Sequence, residues 1–224
     1  MFDNIYHNKN ILITGHTGFK GSWLALWLSQ MGANVTGYSL QPPTDPSHFQ
    51  LLNIDINSII GDVRDIDKLK AVFKEQQPEI VFHLAAQAIV RLSYQDPVET
   101  MTSNVLGTVN VLEAARASGT VRAIVNVTSD KCYENQEWPW GYRESDVLGG
   151  YDPYSASKGC SEIVTSCWRN SFFNPTGYGK THQTLLSSAR AGNVIGGGDW
   201  ASDRLIPDIM RAIHQNEKVK IRNP

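Results

Sequence analysis

Tyr154-Ser155-Ala156-Ser157-Lys158 places a phenol and an ammonium group four positions apart, on one face of a helix. A phenol ordinarily titrates at about pH 10, and a neighbouring cation favours its ionised form. The spacing therefore predicts a tyrosine able to act as a base near neutrality. A second group, Thr14-Gly15-His16-Thr17-Gly18-Phe19-Lys20-Gly21, follows a short apolar run and opens a helical pattern. Glycine permits a sharp turn and a close approach of backbone to pyrophosphate. The helix start supplies N–H groups and the positive end of a dipole. The plainer alternative is three glycines used only for turns. Either group alone recurs by chance; together they point to redox chemistry on a nicotinamide cofactor.

A third group lies between them. Thr128-Ser129-Asp130-Lys131 ends an apolar run, and in open parallel sheets the carboxyl ends of strands face the ligand crevice. Ser129 can hydrogen-bond a substrate alkoxide, and Asp130 and Lys131 can move protons at neighbouring carbons. Lys131 can serve as a base if burial or nearby Lys158 depresses its pKa. The alternative is a surface Asp–Lys pair in a turn.

Cofactor choice is read near Ser39, at the end of the second apolar run. An acidic residue there would bind ribose hydroxyls, and an arginine would bind a 2′-phosphate. No Arg or Lys lies between 34 and 50, which favours NAD over NADP. His16 and Lys20 are both expected near the phosphates. Asp62 is either an acceptor for an adenine amino group or a turn carboxylate. Asn193 contacts a phosphate or sugar, or caps backbone. Arg204 pairs a substrate phosphate, or forms a solvated ion pair with Asp203. Trp138, Trp140 and Trp200, in expected loops, stack on a base or cover the core.

Strands must position these groups. They are expected at Lys9–Thr14, Val35–Leu40, Ile59–Val63, Ile80–Ala85, Ala123–Thr128 and within Thr184–Val194. Helices are expected at Ser22–Met31, Asp65–Gln76, Pro97–Ser118, Tyr154–Arg169 and Ile206–Asn216. Gln41–His48 reads as a loop. Alternation at this spacing implies right-handed βαβ units: a Rossmann-like, doubly wound α/β fold with a parallel sheet and helices on both faces. Residues 1–185 form the dinucleotide-binding domain. Residues 186–224 hold the last strand and the start of a smaller substrate domain. Lys218–Arg222 could begin a strand with no partner after it, so a chain shorter than the working protein is expected.

The 224 residues are 41% hydrophobic and 19% charged, an ordinary globular composition with ample core. A net charge of −2 gives no strong field to recruit nucleic acid or an anionic membrane. No membrane-length apolar stretch and no signal-peptide pattern is present. Cys132, Cys160 and Cys167 form no C-x-x-C pair, so reduced thiols in a cytoplasmic protein, without a metal site, are expected.

The glycine loop, Gly61-Asp62-Val63-Arg64-Asp65, His83-Leu84-Ala85-Ala86-Gln87, Asn104-Val105-Leu106-Gly107-Thr108 and Tyr154–Lys158 together resemble the extended short-chain dehydrogenase/reductase superfamily. Within it the chain resembles the nucleotide-sugar 4,6-dehydratases. Those usually carry Thr-Asp-Glu where this chain has Ser129-Asp130-Lys131. That departure, with Lys20 and the run Arg190–Trp200, looks like the branch acting on CDP-glucose. The resemblance implies that Gly15, His16, Gly18, Phe19, Lys20, Gly21, Ser39, Asp62, Val63, Leu84, Ala85 and Ala86 line the NAD site with Tyr154 and Lys158. It implies that Gln87, Asn193 and Arg204 contact substrate. It also implies an internal redox cycle. Tyr154, helped by Lys158, deprotonates the sugar 4-hydroxyl as hydride leaves C4 for NAD. A base, Lys131 in place of glutamate or Asp130 in changed role, removes the C5 proton. Asp130 protonates the departing C6 hydroxyl, hydride returns to C6, and Ser129 holds the C4 oxygen. A homodimer through helices 97–118 and 154–169 follows from the same resemblance. The competing readings are a C4 epimerase or reductase, which needs no acid–base pair at 130–131, and an NAD-binding fragment without turnover.

Overall fold

The computed structural model describes residues 2–221. Six strands form one sheet, all parallel: β1 (Asn10–Thr14), β2 (Asn34–Ser39), β3 (Asn57–Ile60), β4 (Ile80–His83), β5 (Ala123–Ser129) and β6 (Leu185–Ala191), in the spatial order 3-2-1-4-5-6. That is the doubly wound order, whose direction reverses between β1 and β4. All carboxyl ends lie at one edge of the sheet.

β1 shows why both faces are covered. Leu12 packs with Leu69, Phe73, Val111 and Leu112, while Ile11 and Ile13 pack with Ala25 and Leu28. Successive side chains on a strand point to opposite faces, and an all-parallel sheet buries both. The second set lies on α1 (Phe19–Gln30); the first lies on α3 (Ile66–Gln76) and α6 (Gly107–Ser118), with Val164 and Trp168 of α7 (Pro153–Ser171) against it.

The remaining helices are α2 (His48–Leu52), α4 (Val90–Gln95), α5 (Pro97–Met101) and α8 (Leu205–His214). The sequence pattern misses α2 and α4; each is under two turns, too short for helical periodicity to register. The expected helix 97–118 exists but is interrupted. α5 passes into a wider π turn at Thr102–Leu106 before α6. The third strand starts two residues earlier and ends three earlier than its sequence pattern suggests, so Gly61, Asp62 and Val63 follow it. Residues 218–221 form no strand, and Arg222 lies outside the described residues. Among the described residues no helix is long and apolar enough to cross a membrane, and no cluster of three potential metal ligands occurs. The three cysteines are free, Cys132 buried and the other two exposed.

Candidate active site

The glycine loop joins β1 to α1 at the switch point. Gly15 has φ +80°, and a Cβ there would lie 2.7 Å from the Ala85 nitrogen. A Cβ on Gly21 would lie 2.0 Å from the Gly15 carbonyl oxygen. Glycine at both positions lets α1 start directly against the loop.

Thr14 holds the far side of this loop. Its Oγ1 accepts from the Leu84 and Ala85 N–H groups, both at 3.2 Å, and lies 2.7 Å from His83 Nδ1. With both acceptor sites taken, Thr14 donates its proton to Nδ1. His83 therefore carries its proton on Nε2, which donates to Thr108 Oγ1 at 3.2 Å. Thr108 donates to the Asn104 carbonyl at 2.6 Å, and accepts from Ser161, which accepts from Asn126. The tautomer follows from counting donors. Burial and nearby Lys158 bring the His83 pKa down to about 3, so the imidazole is neutral.

The reacting groups converge from β5 and α7. Asp152 caps α7, accepting from the Ser155 N–H at 2.9 Å, with Pro153 in the first turn. This fixes Tyr154 at the helix start, where its hydroxyl hydrogen-bonds Ser129. Lys158, buried one turn later, donates to the Val127 carbonyl at 3.5 Å. Burial, with repulsion from Lys20, lowers its pKa to about 8. Lys20 is itself lowered by burial and by Arg204. Three cations, from α1, α7 and the segment before α8, thus face one cleft beside the loop. An anion beside Lys20 would favour its charged form, and the pyrophosphate of a dinucleotide fits that place.

The structure corrects several expectations. The Tyr154 pKa is raised, not lowered: burial outweighs the Ser129 hydrogen bond and the Arg204 charge, while Asp130 and Asp152 add to the rise. Lys131 and Asp130 are both exposed, so of the two conditions set for a Lys131 base, burial is not met. Asp130 accepts from the Ser129 hydroxyl at 3.1 Å, and the Lys131 N–H bonds that same hydroxyl oxygen. The His16 side chain is fully buried, its ring against Gly37 and its Nε2 2.7 Å from Ser58 Oγ. Burial holds its pKa at about 4, so it offers no charge to a phosphate. Both Asp62 oxygens accept from Arg64, the turn-carboxylate alternative. The Gln87 side chain bonds Thr100 at 2.9 Å and the Ile89 N–H at 2.5 Å, which occupies its amide internally. Arg204 pairs with Asp199 at 3.6 Å, and Asp203 meets Arg91 at 3.0 Å.

The other expected residues lie around the crevice. Ser39 is buried at the β2 end, 2.8 Å from Thr17 Oγ1. Val63 is a core residue beneath Gly107. Leu84 and Ala85 follow β4 with Ala86; Gly18 precedes α1. Asn193 is exposed beyond β6. Phe19 and Lys20 line a cavity of about 290 Å³ with Trp23, Val194, Ile195 and Gly196. Trp23 Nε1 donates to the Gly197 carbonyl at 2.9 Å, and its ring stacks on His48. Trp138 packs against Trp140 and Tyr142, and Tyr142 stacks on Tyr133.

Sequence reasoning missed Glu162. Buried on α7, its carboxylate accepts from Thr128, from Ser188 at 2.8 Å and from Arg190 at 3.0 Å. Its place four residues after Lys158 was the available signal.

The chain belongs to the family described as GDP-mannose 4,6 dehydratase, which matches residues 12–219. Within that class, the CDP-glucose 4,6-dehydratase of Salmonella typhimurium is 58% identical over 223 residues, 99% of this chain and 62% of that protein. The chain thus spans under two thirds of that relative. A UDP-glucose 4-epimerase of Mycolicibacterium smegmatis is 34% identical, over 71% of this chain and 51% of its own. Among solved structures, an epimerase of Methanothermobacter thermautotrophicus superimposes with a TM-score of 0.82 at 28% identity, covering 99% of this chain and 63% of its own. MoeE5, solved with UDP-glucose and NAD, gives 0.77 at 26% identity, covering 96% and 64%.

Proposed function

We propose that this chain carries the cofactor site and reacting groups of a CDP-glucose 4,6-dehydratase, an NAD-dependent hydro-lyase that forms CDP-4-keto-6-deoxyglucose and water. The observation that carries this is the 58% identity across 99% of the chain, with Ser129-Asp130 beside Tyr154 and Lys158. Residues 1–185 serve the cofactor, and residues 186–224 add the last strand and the start of the substrate domain. A cytoplasmic homodimer belongs to the same reading.

Bound NAD supplies a reversible two-electron acceptor for oxidation at C4 and reduction at C6. Gly15, Gly18 and Gly21 bring backbone to its pyrophosphate, and Lys20 adds charge. Ser129 orients the C4 oxygen by hydrogen bonding, and Tyr154 takes the 4-hydroxyl proton. Lys158 keeps positive charge beside the phenolate. Once C4 is a ketone, the C5 proton is acidic. Lys131, or Asp130 held by its hydrogen bond to Ser129, accepts that proton. Asp130 protonates the leaving C6 hydroxyl in the same scheme. Arg204 and Asn193, at the crevice edge, are the groups proposed for the nucleotide phosphates.

The test is incubation of the purified chain with NAD and CDP-glucose. A 4-keto product, seen by its ultraviolet absorbance in alkali without net NADH, supports the dehydratase. Epimerised sugar without keto product supports the C4 epimerase. Cofactor binding with no product supports an NAD-binding fragment.

A further inference from the structure

Glu162 is a buried carboxylate that no step above uses. It is 4% exposed, and removing such a charge from water is costly unless it is paired and hydrogen-bonded. Two strands supply its partners. Thr128 comes from β5, one residue before Ser129. Ser188 and Arg190 come from β6. Glu162 itself stands one turn after Lys158 on α7, on the same face. Arg190 reaches further: its other nitrogen donates to the Tyr133 hydroxyl at 2.7 Å and the Glu144 carbonyl at 2.9 Å, and its guanidinium lies 4.8 Å over the Tyr133 ring. The pair therefore ties α7 to the strand end and loop that carry Ser129 and Asp130.

We propose that Glu162 is a positioning residue that keeps Lys158 protonated at neutral pH, with Arg190 holding Glu162 ionised and in place. The proposal rests on the reading of Tyr154 and Lys158 as the reacting pair. Lys158 sits among groups of opposing effect. Lys20 of α1 and burial favour its neutral form, and Glu162 favours the cation. His83 of β4 is neutral beside it. From β5 it meets the Val127 carbonyl, and on α7 Tyr154 is one turn back. Asp130 and Arg204 act on Tyr154 rather than on Lys158. Glu162 is thus the anion that offsets Lys20. Without it, the balance at Lys158 shifts toward the neutral amine, which cannot stabilise a phenolate.

The experiment is an NMR titration of the chain carrying 13C-labelled lysine. The Lys158 signal is assigned by its disappearance in Lys158→Met. In the unmodified chain its midpoint is expected near 8, in line with its surroundings. Glu162→Gln keeps the shape and removes the charge, so the midpoint should fall by about one unit or more. Ser188→Ala, which deletes one hydrogen bond to Glu162 but no charge, should leave it in place. A merely structural role for Glu162 would disturb melting in both variants and the midpoint in neither. Should Glu162→Gln fail to fold, the double variant Glu162→Gln, Arg190→Met removes both charges together and is expected to show a smaller fall in the same direction. An unchanged midpoint in the folded variant overturns the proposal. Turnover is not part of this readout, so a chain inactive on CDP-glucose leaves the test intact.

Discussion

At the scale of single residues, the types and spacing of the reacting groups were legible, but the sign of their electrostatics was not. Tyr154 and Lys158 fall on one helix face as their separation requires. Burial of the phenol, invisible in a local motif, reverses the expected direction of its pKa. His16 illustrates the same limit, since a residue inside a phosphate loop folds under Gly37 instead. Replacing Tyr154 with Phe should cut turnover by about 10²–10⁴-fold while NAD binding, measured by equilibrium dialysis, changes little. Unaltered turnover would remove Tyr154 from the proton step. A second expectation concerns acid. His16 and His83 are held neutral in the fold, near 4 and 3. Between pH 6.5 and 4 the unfolded chain binds protons that the folded chain refuses, so stability falls as pH drops. Each site should cost about 2–3 kcal/mol by pH 4.5. Melting temperature measured from pH 7.5 to 4.5 should fall accordingly, and a flat profile would contradict it.

At the scale of elements, all six strands and the five longer helices could be read from hydrophobic period and glycine placement. The β1–α1 junction was readable because close approach leaves glycine as its mark. Gly21→Ala would place a methyl group 2.0 Å from the Gly15 carbonyl oxygen. The loop must then open, and NAD affinity should fall at least about tenfold, equivalent to about 1.4 kcal/mol; unchanged affinity by calorimetry would show that the loop is not the phosphate cradle. The π turn was not readable, because its cause is tertiary. Asn104 on that turn accepts from the Gln87 N–H at 2.8 Å and donates to the Gln87 carbonyl and to Ser157. Asn104→Ala strands those partners, at about 1–3 kcal/mol for a buried group left unpaired. Denaturant unfolding should register that loss; a neutral result would mean that the π turn does not depend on the amide.

At the scale of the whole molecule, the doubly wound class was legible because short apolar runs alternate with helices, and the spatial order 3-2-1-4-5-6 satisfies it. Surface apolarity was less so. Leu205, Met210 and Ile213 of α8 are each about 60% exposed, and such grouped apolar side chains favour association. Replacing all three with Gln should lower the self-association of the chain in light scattering without loss of NAD binding. Equal scattering would place the sticky surface elsewhere.

The pairing at the centre of the sheet also has a kinetic meaning. Thr14 and His83, which meet at 2.7 Å, are 69 positions apart in the chain. The crevice lies on this junction, so it cannot form from any single local hairpin or helix pair. Closing so long a loop must precede the reward of its contacts, and non-local parallel pairing is slow for that reason. Competence to bind a dinucleotide should therefore arise late in refolding, after most helical signal has returned, and so mark arrival at the native state.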